Sequence, residues 1–409
     1  MFPVMYEVKQ KLGGPQEPDI AAAVAREFVR RDMRSRIISG QKVAVAAGSR
    51  GIANIAAIVA AVIGEFKKLG AVPFIVPAMG SHGGATAEGQ AKVLKQLGID
   101  EATMGAPVVS SMEVVEIGKT PGGVPVYLDK AAAEAEGVFV VNRVKPHTDF
   151  NGNVGSGLTK MVAIGLGNHQ GCVTLHTHGL TANIPLAAKV AIDAGRVVGG
   201  LAIIENSHEQ TAMLRLLLPD EFLTEEPDLL AEARRMMARL PVEDIDVLIV
   251  KEMGKNFSGT GMDTNVLGRM RVEGELEPES PRIKRVVVLD LSDKSYGNAL
   301  GIGLADLTTR RLVDKIDHAA MYTNVLSTSY LERGKIPIFL ERDQDAISAA
   351  LRAIGPVPSA MARVCVIKNT LELETLYVSA ALKAELGHLP ATPVGALPFT
   401  DAGELKLYE

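Results

Sequence analysis

Short runs of apolar, mostly β-branched residues alternate with longer alanine-rich segments through the first half of the chain. The order is "KVAVAA" at 42–47, a segment at 52–69, "AVPFIV" at 71–76 and a segment at 86–97. Runs that are apolar at nearly every position leave no wet face, so the pattern predicts βαβ units with a mostly parallel sheet flanked by helices. Polar residues collect where these strands end: "GSRG" after the first, "GSHGG" after the second, and "NRVKPH" after "GVFVV" at 137–141. In open parallel sheets the ligand crevice lies beyond the carboxyl ends of the strands. Arg50, His82 and His147 are therefore predicted to be neighbours, although they are far apart in sequence.

The pattern changes at the stretch "EEPDLLAEARRMMARLPVED" beginning at Glu225. Leu229, Leu230, Ala233, Met236, Met237 and Leu240 stand at helical spacing there, which predicts a connecting helix closed by Pro241. New apolar runs follow, "DVLIV" at 246–250, "RVVVLDL" at 285–291 and "ARVCVIKN" at 362–369. The expected architecture is α/β with two domains, each a mostly parallel sheet flanked by helices, and an active site in the cleft between them. Residues 1–243 form the first domain, which the proline-rich tail 389–409 could complete, and residues 244–388 form the second.

Composition narrows the function classes. The chain has 409 residues, and 43 Lys plus Arg against 48 Asp plus Glu give a net charge of −5. It offers no basic field to attract nucleic acid. Cys172 and Cys365 are too few for a disulfide framework, and the N-terminus lacks the basic and apolar regions of a signal peptide, so a cytoplasmic protein is expected. The apolar run "IANIAAIVAAVIG" is too short to span a bilayer and reads as a buried helix, so no membrane partner is expected. Homo-oligomerisation is left open.

Residues 140–179 hold four of the eight histidines, with the loop "GNVGSGLTK" among them. The loop fails as a P-loop, because no Gly precedes Lys160 directly and Met161 follows it, so ATP hydrolysis is not supported. Glycine N–H groups opening a helix can still form an anion nest for a phosphate. His82 and His147 follow buried strands, where loops on a rigid scaffold present catalytic groups. Two imidazoles can serve as acid and base on opposite faces of one substrate while Arg50 holds a carboxylate by a bidentate fork. That set points to stereochemical inversion. Arg143, Lys145 and His147 share one face of an extended segment, which puts two further cations beside the substrate and favours one with additional polar or acidic groups. A competing zinc-hydrolase reading takes "HTH" as extended and uses His169, His176 and His178. A third reading is a catalytically silent protein that binds a hydroxyacid or nucleotide.

Through "GSRGIAN", "MGSHGGATAEG", "KPHTDFNGNVGSGLTK", His176 and "KNFSGTGMDTNVLGR", the chain resembles the nickel-dependent lactate racemase family of 2-hydroxyacid racemases and epimerases. The resemblance implies a nickel-pincer nucleotide, a pyridinium mononucleotide whose ring carbon and two sulfurs bind nickel. It implies that Lys160 carries this cofactor, that Gly155, Ser156 and Gly157 seat its phosphate, and that His176 ligates nickel. His82 and His147 would be the acid/base pair, and Arg50, Arg143 and Lys145 would face a small 2-hydroxyacid. Ala47 and Gly83 depart from the family pattern, which argues against lactate itself.

Overall fold

The computed structural model describes residues 2–48, 51–150 and 152–407, so Arg50 lies outside the described residues. The chain forms two compact units, Gly13–His147 with Gly152–Met237, and Met1–Leu12 with Thr148–Asn151 and Ala238–Glu409.

Strand β1 (Val4–Lys9) belongs to the second of these units, not the first. The first unit holds β2 (Lys42–Ala47), β3 (Val72–Pro77), a hairpin of β4 (Val114–Lys119) and β5 (Pro125–Asp129), then β6 (Gly137–Arg143), β7 (Val197–Glu205) and β8 (Thr211–Leu217). Its main sheet runs β3-β2-β6-β7-β8. All neighbours are parallel except β8, which returns antiparallel to β7. Val43 to Ala47 and Gly137 to Val141 are buried throughout, which is why these strands are written without polar positions. Helices Ile20–Arg30 and Ile55–Lys68 cover one face. Phe28, Phe66 and Phe139 meet there with ring centroids 5.1 to 5.6 Å apart.

The second unit adds β9 (Asp244–Val250), β10 (Arg282–Val288), β11 (Leu307–Thr309), β12 (Ile338–Leu340), β13 (Val364–Ile367), β14 (Thr375–Ser379) and β15 (Ala391–Ala396). The sheet order is β12-β11-β10-β9-β13-β14-β1-β15. It is parallel from β12 to β13 and antiparallel beyond. Alternate residues of β9 feed two cores, Leu248 and Val250 on one face and Val247 and Ile249 on the other.

The proline-rich tail departs from the expectation that it returns to the first unit. Its strand β15 pairs with β1 at the edge of the eight-stranded sheet, where Pro393 removes no ladder bond that a central strand would need. The connecting helix spans Glu226–Met236 and stops short of Pro241.

Candidate active site

The loops that follow β2, β3 and β6 meet at the carboxyl ends of those strands. A methyl group on Gly48, after β2, would sit 3.1 Å from Met161 and 3.2 Å from the Asn142 side chain, so this loop lies against β6 and the helix Leu158–Ala163. After β3, the Gly80 N–H donates to the Gly165 carbonyl at 3.2 Å, and Gly80 faces Cys172. After β6, His147 reaches the helix Leu158–Ala163 directly, with Nε2 2.5 Å from Lys160 Nζ. Two residues thirteen apart in sequence, singled out for different roles, are in contact.

The glycine loop explains how Lys160 is held. Lys145 and Ser156 exchange both backbone hydrogen bonds, at 2.9 and 2.8 Å. The chain between them is an excursion from this short antiparallel bridge. Gly155 is required by the close approach of the strands, since a Cβ there would lie 2.4 Å from the Lys145 carbonyl oxygen. At the start of the helix, where an anion nest is expected, the first two N–H groups are taken by a side chain of the chain itself. The Glu226 carboxyl accepts from the N–H groups of Leu158 at 2.7 Å and Thr159 at 3.0 Å. Thr159 Oγ1 donates to the Phe222 carbonyl at 3.2 Å, and Asn142 Nδ2 donates to the Gly157 carbonyl at 3.0 Å. Glu226 is 1% exposed, and burial pushes its pKa up to about 7 against the opposing pull of the two N–H groups. Its Oε1 has no hydrogen-bond partner and lies against Gly157.

Gly157 is thus small because Glu226 is there. A Cβ at Gly157 would stand 2.3 Å from Glu226 Oε1, inside any real contact distance. Gly157→Ala should destabilise the chain by about 1–3 kcal/mol through overpacking. Denaturant unfolding checks this, and a variant within experimental error of wild type would show that Glu226 moves aside freely.

Arg143, read from the sequence as a substrate contact, is instead ion-paired with Glu205 at the end of β7. Glu205 also accepts from the Ala53 N–H at 2.7 Å. Arg143 therefore ties β6 and β7 to the loop after β2, and its charge is already neutralised. Residues 143, 145 and 147 are half-buried while 144 and 146 are buried, an extended alternation. His82 is exposed, and its loop is fastened from below by Gln90, which is fully buried. Gln90 Nε2 donates to the Gly80 carbonyl at 2.8 Å and the His82 carbonyl at 3.4 Å.

The "HTH" segment is not extended. It closes the helix Asn168–His178. In a helix, His176 and His178 point to different sides, and His169 is two turns from His176, so the three cannot surround one zinc ion. Among the described residues no group of three or more His, Cys, Asp or Glu side chains is arranged to hold a metal. Helical geometry instead places Cys172 on the face of His176. The Cys172 thiol lies 3.4 Å from Ser81 Oγ. Burial raises the thiol pKa, but the polar influence of the His176 ring and Ser81 outweighs it and the net shift is downward. Cys172, Glu226 and Gln90 were not legible as site residues. Only Cys172 had a usable signal, its spacing of four before His176.

These features define an α/β protein whose mostly parallel sheets are flanked by helices. Residues 9–185 match the family model of the lactate racemase N-terminal domain. Over those residues the chain is similar to the lactate racemase family. No curated protein matches the chain. Among solved structures it is similar to the lactate racemase apoprotein from Thermoanaerobacterium thermosaccharolyticum, at 12% identity and a TM-score of 0.54, over 90% of this chain and 99% of that one. At that identity the likeness is one of fold. A structural-genomics protein from Thermotoga maritima aligns at 14% identity and a TM-score of 0.48, over 68% of this chain and 72% of that one. Among the described residues no helix is long and apolar enough to cross a membrane.

Proposed function

We propose that the chain is a racemase or epimerase of a small 2-hydroxyacid that works with a nickel-pincer nucleotide tethered to Lys160. The observation that carries this reading is the contact of Lys160 Nζ with His147 Nε2 at 2.5 Å. An amine must lose its ammonium proton before it can be acylated, and a ring nitrogen at that distance can accept it. The donor set fits the group in two respects, an amine beside an imidazole for attachment and an imidazole on a neighbouring helix, His176, for nickel. It does not fit in a third, because Glu226 fills the expected phosphate nest.

When bound, the cofactor supplies a reversible hydride acceptor. The chain's own residues handle the proton and the orientation. His147 would take the substrate hydroxyl proton and return it, and His82, on the loop held by Gln90, is the candidate for the same task on the opposite face. Arg50 is the proposed carboxylate clamp. With Arg143 engaged by Glu205, preference for an acid larger and more polar than lactate rests on Lys145.

Intact mass and peptide mapping of cofactor-loaded protein test the reading. An adduct on Lys160 is expected, lost in Lys160→Ala. His176→Ala should keep the adduct and lose nickel, whereas His82→Ala and His147→Ala should keep both and lose racemisation. An adduct on Lys145 would overturn the tether, and full nickel in His176→Ala would overturn the ligand.

A further inference from the structure

We infer that Asn168 is a positioning residue, anchored by Asp129, that sets how the helix carrying His176 leaves the helix carrying Lys160. Asn168 stands midway between the two, eight residues after Lys160 and eight before His176. Its backbone has φ 47° and ψ −149°, a conformation that glycine adopts at no steric cost and that a residue with a Cβ rarely does. A side chain kept on such a backbone has something to hold. The Asn168 side chain is fully buried, and its Nδ2 donates to Asp129 Oδ2 at 2.9 Å and to the Ser111 carbonyl at 3.1 Å. Both partners are acceptors, which fixes the nitrogen on that side and leaves Oδ1 buried with no hydrogen-bond partner among the described residues. Asp129 ends β5 and is also fully buried. Its Oδ1 accepts from the Ala132 N–H at 3.0 Å, so both carboxyl oxygens are engaged. The strained backbone and the orphaned oxygen both disfavour this arrangement, and the two bonds of the amide hold it in place.

The surroundings leave the junction one way to run. A Cβ on Gly165 would stand 2.6 Å from Met161 Sδ and 2.7 Å from the Ala78 carbonyl oxygen, and one on Gly167 would stand 3.3 Å from the Tyr127 carbonyl oxygen. The Gly165 carbonyl accepts from the Gly80 N–H, which ties the chain leading to His82 to the same junction. Residues 164–168 are thus packed between β5 and the chain after β3. Side chains that serve one bound group must be held within about 0.5 Å of their places, and a clamp between Lys160 and His176 supplies that. The assignment of both residues to one cofactor rests on the function proposed above. The clamp at Asn168 does not.

Asn168→Gly fits the backbone and removes the amide, so it separates position from fold. Cys172, in the second turn of the helix Asn168–His178 and 3.4 Å from Ser81 Oγ, reports the docking of that helix, while Cys365 is 0% exposed and silent. The native full-length protein is labelled with a chromogenic disulfide, and denaturant unfolding is followed in parallel. Asn168→Gly should label Cys172 roughly tenfold faster than wild type at nearly the same unfolding midpoint, since relieved strain offsets the lost bonds while the helix is freed. Asp129→Asn keeps the bond to Ala132 and sets a donor against a donor. It should speed labelling as well, with little added in the double variant. In cofactor-loaded protein, Asn168→Gly should keep the adduct on Lys160 and release nickel roughly tenfold faster. Labelling at the wild-type rate would overturn the inference, as would faster labelling matched by an equal loss of global stability, the mark of a purely structural residue. Effects of the two variants that add in full would overturn the anchor, and nickel release unchanged in the face of faster labelling would overturn the positioning of His176. Absence of an adduct on Lys160 in the wild-type protein is a separate failure, that of the proposed function, and labelling still decides the clamp.

Discussion

Glu226→Gln is expected to remove a fall in stability that the wild-type chain shows as pH rises from about 4.5 to about 7. The carboxyl is buried, so the folded chain holds its proton up to about 7, whereas the unfolded chain releases it near 4.5. Above the unfolded value the unfolded state therefore binds fewer protons, and stability declines until the folded group also ionises. The stabilisation is fully present below pH 4.5 and gone above about 7. The ceiling on the effect is about 3 kcal/mol. Glutamine stays neutral and keeps a carbonyl oxygen for the N–H groups of Leu158 and Thr159. The stability of Glu226→Gln relative to wild type should thus rise across this window, whatever its offset at low pH. Chemical denaturation at pH 5 and pH 8 measures it, and parallel pH dependence in the two proteins would mean that Glu226 ionises as an ordinary carboxyl.

Arg333→Met is expected to cost about 3–5 kcal/mol, several times the loss from any exposed ion pair in the chain. Arg333 is 2% exposed, and its guanidinium donates to Asp149 at 2.5 Å, to the Thr148 carbonyl at 2.7 Å and to the Met270 carbonyl at 2.9 Å. Truncation removes the cation but leaves the Asp149 carboxylate and two carbonyls in place, and it is this uncompensated burial that destabilises. The double variant Arg333→Met with Asp149→Asn should recover part of the loss, because the stranded charge is gone. Denaturant unfolding of the full chain decides it, and a single-variant loss below about 1 kcal/mol would show that solvent reaches Asp149.

Much of the framework was legible in the pattern of apolar positions. The runs at 42–47 and 137–141 are strands, and Gly48 and Gly80, which follow β2 and β3, pack against residues of the chain that follows β6. The competing zinc reading takes only "HTH" as extended, whereas Asn168–His178 is a helix with a scarcely apolar face. A helix with little amphipathic contrast leaves no periodic trace.

By itself, the sequence determined the parallel α/β framework and the placement of polar residues after its strands. Buried parallel strands must be apolar on both faces, and the topology then leaves polar residues only at their ends. Tertiary structure alone decided which charges are spent inside the protein. Glu226 stands in a charged segment that reads as a connecting helix, yet its carboxyl accepts from the N–H groups that open a helix 67 and 68 residues away. Arg143 stands among candidate substrate contacts, yet it is matched to Glu205, 62 residues on. The tail 389–409 carries no mark of the sheet that it joins, and β1 chose it. Each of these pairings is set by the cost of leaving a buried polar group or a sheet edge unmatched, and that cost exists only once the chain has folded.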